Sequence, residues 1–356
     1  MREAPIDITT YEIAKALESC FGIVTTELTF LPLGDDSASS AFRAETVMGT
    51  SYFVKLRSHQ GFRIASLAVP HLLQTECVSH VLTPMATVKH ELWVNLDRYA
   101  LTVYPFIESR PAYEVGLSEL QWFSLGKTVR HIHHVNHKNI PDMLTEVFVP
   151  SRNDLVPVIE AILRQITEPA ATKPAYEIDH PTKEQRNLAI FWQAHRDVIA
   201  QLVRRTNNLA RALRTARDMP ADFLPDANRP VLCHADLHTW NIVVDLAGEM
   251  WIVDWDETIM APKERDLMFF IRGIGRNLVT PRETECFLQG YGDCEIDQTA
   301  LSYYRHAWAI QDLAAYAERV ALLPELSTSA QVDALNSIIS MFEPDNIVDI
   351  ALSSQE

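Results

Sequence analysis

The stretch Val231–Phe270, VLCHADLHTWNIVVDLAGEMWIVDWDETIMAPKERDLMFF, decides how this chain is read. Asn241–Val244 and Met250–Val253 are short apolar runs, and each predicts a strand. Asp245-Leu246-Ala247-Gly248 between them is turn chemistry, so the two runs predict a hairpin. Asp236 lies on the loop before the first strand, Asn241 begins that strand, and Asp254 and Asp256 end the second. A hairpin sets its strands side by side, which lets Asp236, Asn241 and Asp254 converge on one small volume. Two carboxylates and an amide oxygen are a hard, all-oxygen donor set. Such a set suits Mg²⁺, which keeps several waters and takes one or two carboxylates together with the phosphates of a nucleotide.

The pattern is His-x-Asp, an Asn five residues after the Asp, and an apolar strand ending in Asp. It resembles the catalytic and metal-binding segment of kinases. His234-Ala235-Asp236-Leu237-His238-Thr239-Trp240-Asn241 resembles the small-molecule form of that segment, in the aminoglycoside phosphotransferase and choline kinase superfamily. Asp254-Trp255-Asp256-Glu257 and Ala261-Pro262-Lys263-Glu264-Arg265-Asp266-Leu267-Met268-Phe269 are similar to the spectinomycin phosphotransferase branch, whose members modify antibiotics. Leu301–His306 and Met341-Phe342-Glu343-Pro344 add to that resemblance. It covers nearly the whole chain, closely over 231–320 and loosely over the first lobe.

The resemblance implies a two-lobed, protein-kinase-like α+β fold. An N-terminal antiparallel sheet lobe, residues 1–106, would bind the nucleotide. A larger helical lobe, residues 107–356, would carry catalysis and the substrate surface, with the cleft between them. It implies Asp236 as catalytic base, His234 as a brace for the catalytic loop, and Asn241 and Asp254 as metal ligands. The cofactors implied are ATP and Mg²⁺, with GTP left open. Asp256 would touch either a substrate amine or a second metal, and Asp266 would cap or tie down the catalytic loop.

Length and composition bound the rest. A chain of 356 residues is long enough for two domains or one domain of two lobes, and 47% apolar residues supply a sizeable core. No apolar run approaches the roughly 20 residues of a membrane helix, and Met1–Asp7 lacks the apolar centre of a signal peptide. Cys20, Cys77, Cys233, Cys286 and Cys294 are odd in number and show no C-x-x-C spacing, so free thiols in a reducing cytoplasm are expected. The net charge of −16 argues against nucleic acid as a partner, because a phosphate backbone selects a basic surface. It suits a cationic small molecule, and equally it keeps a protein soluble.

Residues 7–21 have the apolar spacing of a short helix, with Asp7 or Thr9 near its start. Glu27–Leu33, Ala41–Glu45 and Ser51–Arg57 predict three antiparallel strands; Pro84–Val88, Glu91–Leu96 and Leu101–Phe106 complete a sheet of about five. The turn carrying Gly34 and Ser37 is built of small residues that let backbone N–H groups approach phosphate, although it is not a P-loop. Lys55 sits in mid-strand between Val54 and Leu56 and needs a partner. In the resembled family this lysine reaches the nucleotide phosphates and is held by a glutamate from the next helix. That helix, about 62–74, has no acidic residue here, and Arg63 falls near the expected place. Phosphate alone, or a carboxylate from elsewhere, must hold Lys55. The family's adenine-binding crossing falls at Pro105, Phe106 and Ile107.

From Leu117 onward the pattern is helical, with Ser118 as N-cap. Helices are expected over about 154–165, 182–217, 276–291, 299–323 and 332–342. Tyr304 and Asp312 are candidate substrate contacts, since aromatic and acidic groups suit a cationic ring-shaped molecule; aromatic residues at that spacing also make ordinary core. The implied function is O-phosphorylation of a small molecule, with an aminocyclitol antibiotic such as spectinomycin first and antibiotic resistance as its consequence. A metabolite acceptor (nucleoside, amino alcohol or sugar) is the second reading. A catalytically silent nucleotide-binding protein is the third, against which Asp236, Asn241 and Asp254 all weigh.

Overall fold

The structure, a computed structural model, describes residues 8–33, 38–136, 140–150, 154–167, 180–217, 229–275, 278–323 and 326–354. The chain opens with α1 (Thr10–Ala16), started by a capping box in which Thr9 and Glu12 each bind the other's backbone N–H. A π-helical turn over Leu17–Phe21 ends at Gly22, whose φ of +69° only glycine adopts freely. Next come β1 (Thr25–Leu31), β2 (Ser39–Thr46), β3 (Ser51–Ser58), α2 (Ala65–Thr75), β4 (Val94–Leu96) and β5 (Tyr99–Pro105). These strands form the expected antiparallel sheet, in the order β1-β2-β3-β5-β4.

Pro84–Val88 is not one of them. Met85 N–H donates to Val103, but Thr87 turns back on Glu91 through its backbone and its hydroxyl, and the proline has no N–H to give a ladder. Next are β6 (Ser109–Pro111), α3 (Ala112–Val115) and α4 (Glu119–His134), the last capped by Ser118 with Gln121 reaching back. Then follow α5 (Leu155–Thr167) and α6 (Lys183–Arg217), and after them β7 (Val231–Cys233), β8 (Ile242–Asp245), β9 (Met250–Ile252) and β10 (Ile259–Ala261). The chain ends in α7 (Glu264–Leu267), α8 (Pro281–Tyr291), α9 (Gln298–Ala321), α10 (Thr328–Met341) and α11 (Ile347–Ser353). No helix among the described residues is long and apolar enough to cross a membrane, and all five cysteines are free thiols.

The chain packs into two compact units. One comprises Met1–Thr145, Val231–Met260 and Cys286–Gly292; the other comprises Glu146–Pro230, Ala261–Glu285 and Asp293–Glu356. In the first, Phe42, Val54, Leu56, Leu101 and Val103 point to one face of the sheet and bury Ile13 and Leu17 beside them. Side chains alternate along a strand, so burial of Val54 and Leu56 turns Lys55 and Arg57 to the opposite face. The predicted hairpin is present in the same unit. β8 and β9 pair antiparallel, β6 adds a third strand, and Asp245 Oδ1 accepts the N–H groups of Ala247 and Glu249 to close the turn.

In the second unit α9 is the central element, packed against α5, α6, α7, α10 and α11. Tyr303, Tyr304 and Trp308 on α9 are buried. Phe148 stacks edge-on against Tyr303, Phe269 against Trp308, and the Arg265 guanidinium lies over Tyr304 and Trp308. The side chain of Tyr304 is 0% exposed. The expected substrate contact at this position is therefore replaced by a core role, the common fate of aromatics at helical spacing.

Asp312 lies one turn after Trp308, and burial pushes its carboxyl up to about 7 against a small opposing hydrogen bond from Trp308. The folded state then keeps a proton that the unfolded chain releases near pH 4. Between about pH 4 and 7 the folded form binds more protons, so stability falls as pH rises and levels off above 7. Asp312→Asn is expected to flatten this slope and to raise stability at pH 8 by on the order of 2 kcal/mol. Denaturant melts at pH 5 and pH 8 check it, and a slope unchanged by the substitution would refute it.

Candidate active site

The catalytic segment leaves β7 and makes a closed loop before β8. His238 N–H donates to Asp236 O at 3.0 Å, and Asn241 N–H donates to His238 O at 2.9 Å. The Asn241 amide completes the loop: its Nδ2 donates to Asp236 O at 2.8 Å and to Asp236 Oδ2 at 2.9 Å. With both amide hydrogens spent on Asp236, Oδ1 of Asn241 is left as the acceptor face.

His234 is fully buried. Its Nε2 faces Val253 O at 3.0 Å and its Nδ1 faces the Asp236 N–H at 3.3 Å. A carbonyl takes a proton and an amide gives one, so the tautomer assigned from these partners is Nε2–H. His234 thus ties the loop of Asp236 to the strand end before Asp254. Trp255 lies against its ring, with centroids 4.6 Å apart. Ala235 and Asp254 are non-glycine residues with φ of +71° and +62°. Each costs on the order of 1–3 kcal/mol and persists because the surrounding bonds fix it.

Asp254 and Asp256 meet the sheet. Lys55 Nζ lies 2.9 Å from Asp254 Oδ1 and 2.7 Å from Asp256 Oδ2, and Arg57 also pairs with Asp256 Oδ2. Arg63, at the start of α2, donates to the carbonyls of Asp256 and Thr258. The missing helix glutamate is therefore answered from the other side, by two carboxylates of the segment Asp254–Asp256. Burial would raise the Asp254 carboxyl, but the charge and hydrogen bond of Lys55, together with His234 and Arg57, take it down to about 2. Burial opposes the charge on Lys55, yet Asp254 and then Asp256 hold its ammonium above the usual lysine range. The Asp254 side chain is still 47% exposed, so its outer oxygen stays open. An open carboxylate and an oriented amide oxygen fit a divalent cation that prefers oxygen and retains water.

Other expected residues fall as follows. The Phe106 N–H is already given to Ser51 O, and Ile107 O accepts the Ser109 hydroxyl; Pro105 ends β5. Gly34 and Ser37 lie outside the described residues. Asp256 is committed to Lys55 and Arg57 instead of projecting toward a substrate. Asp266 is fully buried within α7. Four contributors were missed in the sequence: Arg57, Arg63, His238 and Asp142. Arg57 had a signal, since it lies two residues after Lys55 on the same strand face. Asp142 had none; its carboxylate accepts the N–H groups of Ile64 and Ala65 and so starts α2 at Ala65, later than the 62 expected.

His238 has Nδ1 facing the Trp240 N–H at 3.2 Å, which leaves Nε2–H, 3.4 Å from Asp236 Oδ1. Burial and then the neighbouring His234 push His238 down to about 4, so it is neutral at pH 7. Two of the groups that face the Asp236 carboxylate, the Asn241 amide and His238, are thus neutral.

Asp256→Asn is expected to leave Lys55 and Arg57 sharing one carboxylate, and to destabilise the protein by on the order of 3 kcal/mol. Thermal melting checks this. A residue serving only to touch a substrate would instead leave the melting temperature unchanged.

A profile of the phosphotransferase enzyme family matches residues 29–304. The chain belongs to the phosphotransferase enzyme family. Members of this family are small-molecule kinases, and the folds of solved relatives agree with the one described above. The structure of spectinomycin phosphotransferase APH(9)-Ia in complex with ADP and spectinomycin is 27% identical, covers 98% of this chain and 99% of its own, and superposes with a TM-score of 0.77. The amicoumacin kinase hAmiN, solved with AMP-PNP, Ca²⁺ and Ami, is 14% identical over 95% of both chains, with a TM-score of 0.62. Choline kinase LicA from Streptococcus pneumoniae is 14% identical over 92% of this chain and 96% of its own, with a TM-score of 0.52. These last two share the fold. No curated protein sequence matches the chain. As a phosphotransferase, the protein has its His-x-Asp loop, its oxygen donors and its strand lysine assembled within one compact unit.

Proposed function

We propose that this phosphotransferase moves the γ-phosphoryl group of ATP to a hydroxyl of an aminocyclitol, with spectinomycin as the first acceptor to test. The observation that carries the chemistry is the pair of hydrogen bonds from the Asn241 amide to Asp236, one to its carbonyl and one to its carboxylate. Both fix the amide nitrogen, which supports a role for Asn241 Oδ1 as an oxygen donor. The choice of acceptor rests on the similarity, over 98% of this chain, to a phosphotransferase solved with spectinomycin.

In this mechanism Asp236 accepts a hydrogen bond from the acceptor hydroxyl, orients its oxygen and takes its proton; the new bond from that oxygen to the γ-phosphorus forms as the bond from the γ-phosphorus to the bridging oxygen breaks, and ADP leaves. Asn241 and Asp254 would hold Mg²⁺. Lys55, which lies between Asp254 and Asp256, would be the cation that meets the phosphates. Bound Mg²⁺ and nucleotide supply the transferable group and charge neutralisation; positioning by the protein accounts for most of the remainder. His234 holds the loop and moves no proton. With ATP as donor, the reaction would run in the cytoplasm.

The test is to incubate the protein with Mg-ATP and spectinomycin and weigh the antibiotic. A gain of one phosphoryl group, absent with Asp236→Ala, is expected. No gain, with nucleotide bound, would sink the aminocyclitol reading. A panel of nucleosides, amino alcohols and sugars would then find the acceptor.

A further inference from the structure

Tyr113 on α3 and Trp240 in the catalytic loop are large apolar residues left 50% and 48% exposed. Their rings are stacked, with centroids 4.3 Å apart and planes 23° from parallel. The pair is held by backbone on both sides. Tyr113 N–H donates to Thr239 O at 3.2 Å, Trp240 N–H meets His238 Nδ1, and the next residue, Asn241, is locked to Asp236. A stacked aromatic face left in water has a cost that a polar residue at this turn would avoid. Its place is specific: Trp240 lies within the loop that Asp236 and Asn241 close. Trp240 is four residues after Asp236 and next to Asn241, whose amide is bonded to the Asp236 carboxylate. The ring faces attract cations and the C–H faces of saturated rings. A net charge of −16 favours the same class.

We propose that the stacked Tyr113–Trp240 pair is the platform for the acceptor. It takes a saturated ring bearing amines and hydroxyls, laid flat on the indole with one hydroxyl directed to Asp236. This rests on the phosphotransferase reading and adds to it the residues that select a cyclic over an acyclic acceptor. An open-chain amino alcohol covers little of the indole and gains little from it.

The test is calorimetric binding to the full chain loaded with Mg²⁺ and AMP-PNP, with spectinomycin and ethanolamine as the two probes. Trp240→Ala is expected to weaken spectinomycin binding about tenfold or more, Trp240→Phe to restore most of it, and Tyr113→Ala to cost about threefold by removing the backing ring. Ethanolamine binding is expected to be weak and indifferent to all three. The platform is overturned if spectinomycin does not bind the wild-type protein, if Trp240→Ala binds it as tightly as wild type, or if the loss falls on AMP-PNP instead. Phosphoryl transfer is read separately on wild-type protein. Spectinomycin bound through Trp240 without a mass gain would refute the proposed reaction and leave the platform. Transfer to an acyclic acceptor would keep the kinase and refute the platform.

Discussion

Asp236→Ala is expected to lower turnover by about 10²–10⁴, the range for loss of a general base, while nucleotide binds as before. The separation follows from the partners. The Asp236 carboxylate faces Asn241 and His238, whereas Lys55 and Asp254 are held by each other and by Asp256. Removing the Asp236 side chain takes away the proton acceptor and one Asn241 hydrogen bond, but the backbone carbonyl at 236 still holds the amide and the Lys55–Asp254 pair is untouched. Asp236→Asn sharpens the measurement. It keeps the shape but cannot take a proton, so a loss as deep as that of alanine assigns the effect to basicity. A loss much smaller than alanine's would assign it to orientation. Single-turnover kinetics with a fluorescent-nucleotide titration read both quantities. Turnover near wild type in either variant would remove Asp236 from the role of base.

Gly290→Ala is expected to be among the most destabilising single-methyl additions in the molecule. By helix propensity alone, alanine in place of glycine would add about 1 kcal/mol of stability to α8. The packing reverses that sign. A Cβ on Gly290 would lie 1.9 Å from Phe123 O of α4, and a Cβ on Gly126 of α4 would lie 2.1 Å from Phe287 O. The two helices cross glycine against glycine, backbone on backbone. No flexible side chain is present to give way, so α4 and α8 would have to part by more than an ångström. A loss above about 3 kcal/mol is expected, at or beyond the usual range for overpacking. The double substitution Gly126→Ala with Gly290→Ala should cost much less than the sum, because helices already parted admit the second methyl. Denaturant midpoints of the two singles and the double check this. Higher stability in either single would mean that the helices do not cross so closely.

The fold was legible where local chemistry and pattern agree. Thr9 with Glu12 and Ser118 with Gln121 marked helix starts that the structure keeps. The hairpin from Asn241 to Val253 was legible from its two apolar runs and its Asp-x-x-Gly turn. Pro84–Val88 misled because a short apolar run is ambiguous until its hydrogen-bond partners are known; only one ladder-like bond forms there. The aromatics of α9 were ambiguous for a related reason. Spacing says that Tyr304 and Trp308 share a helix face, and only their neighbours Phe148, Phe269 and Arg265 show that the face is core.

By itself the sequence determined the chemistry-bearing loop, since His234, Asp236, Asn241 and Asp254 are close along the chain and a hairpin must bring them together. It also determined that Lys55 lacks a helix glutamate. Tertiary structure alone decided what replaces it. Lys55 and Asp256 are 201 positions apart, and nothing local in either strand fixes which carboxylate a distant ammonium will find. The same holds for Asp142 capping α2, for the glycine crossing of α4 on α8, and for Tyr113 stacking on Trp240. Each is a contact between residues far apart in the chain, fixed by the burial of side chains around it.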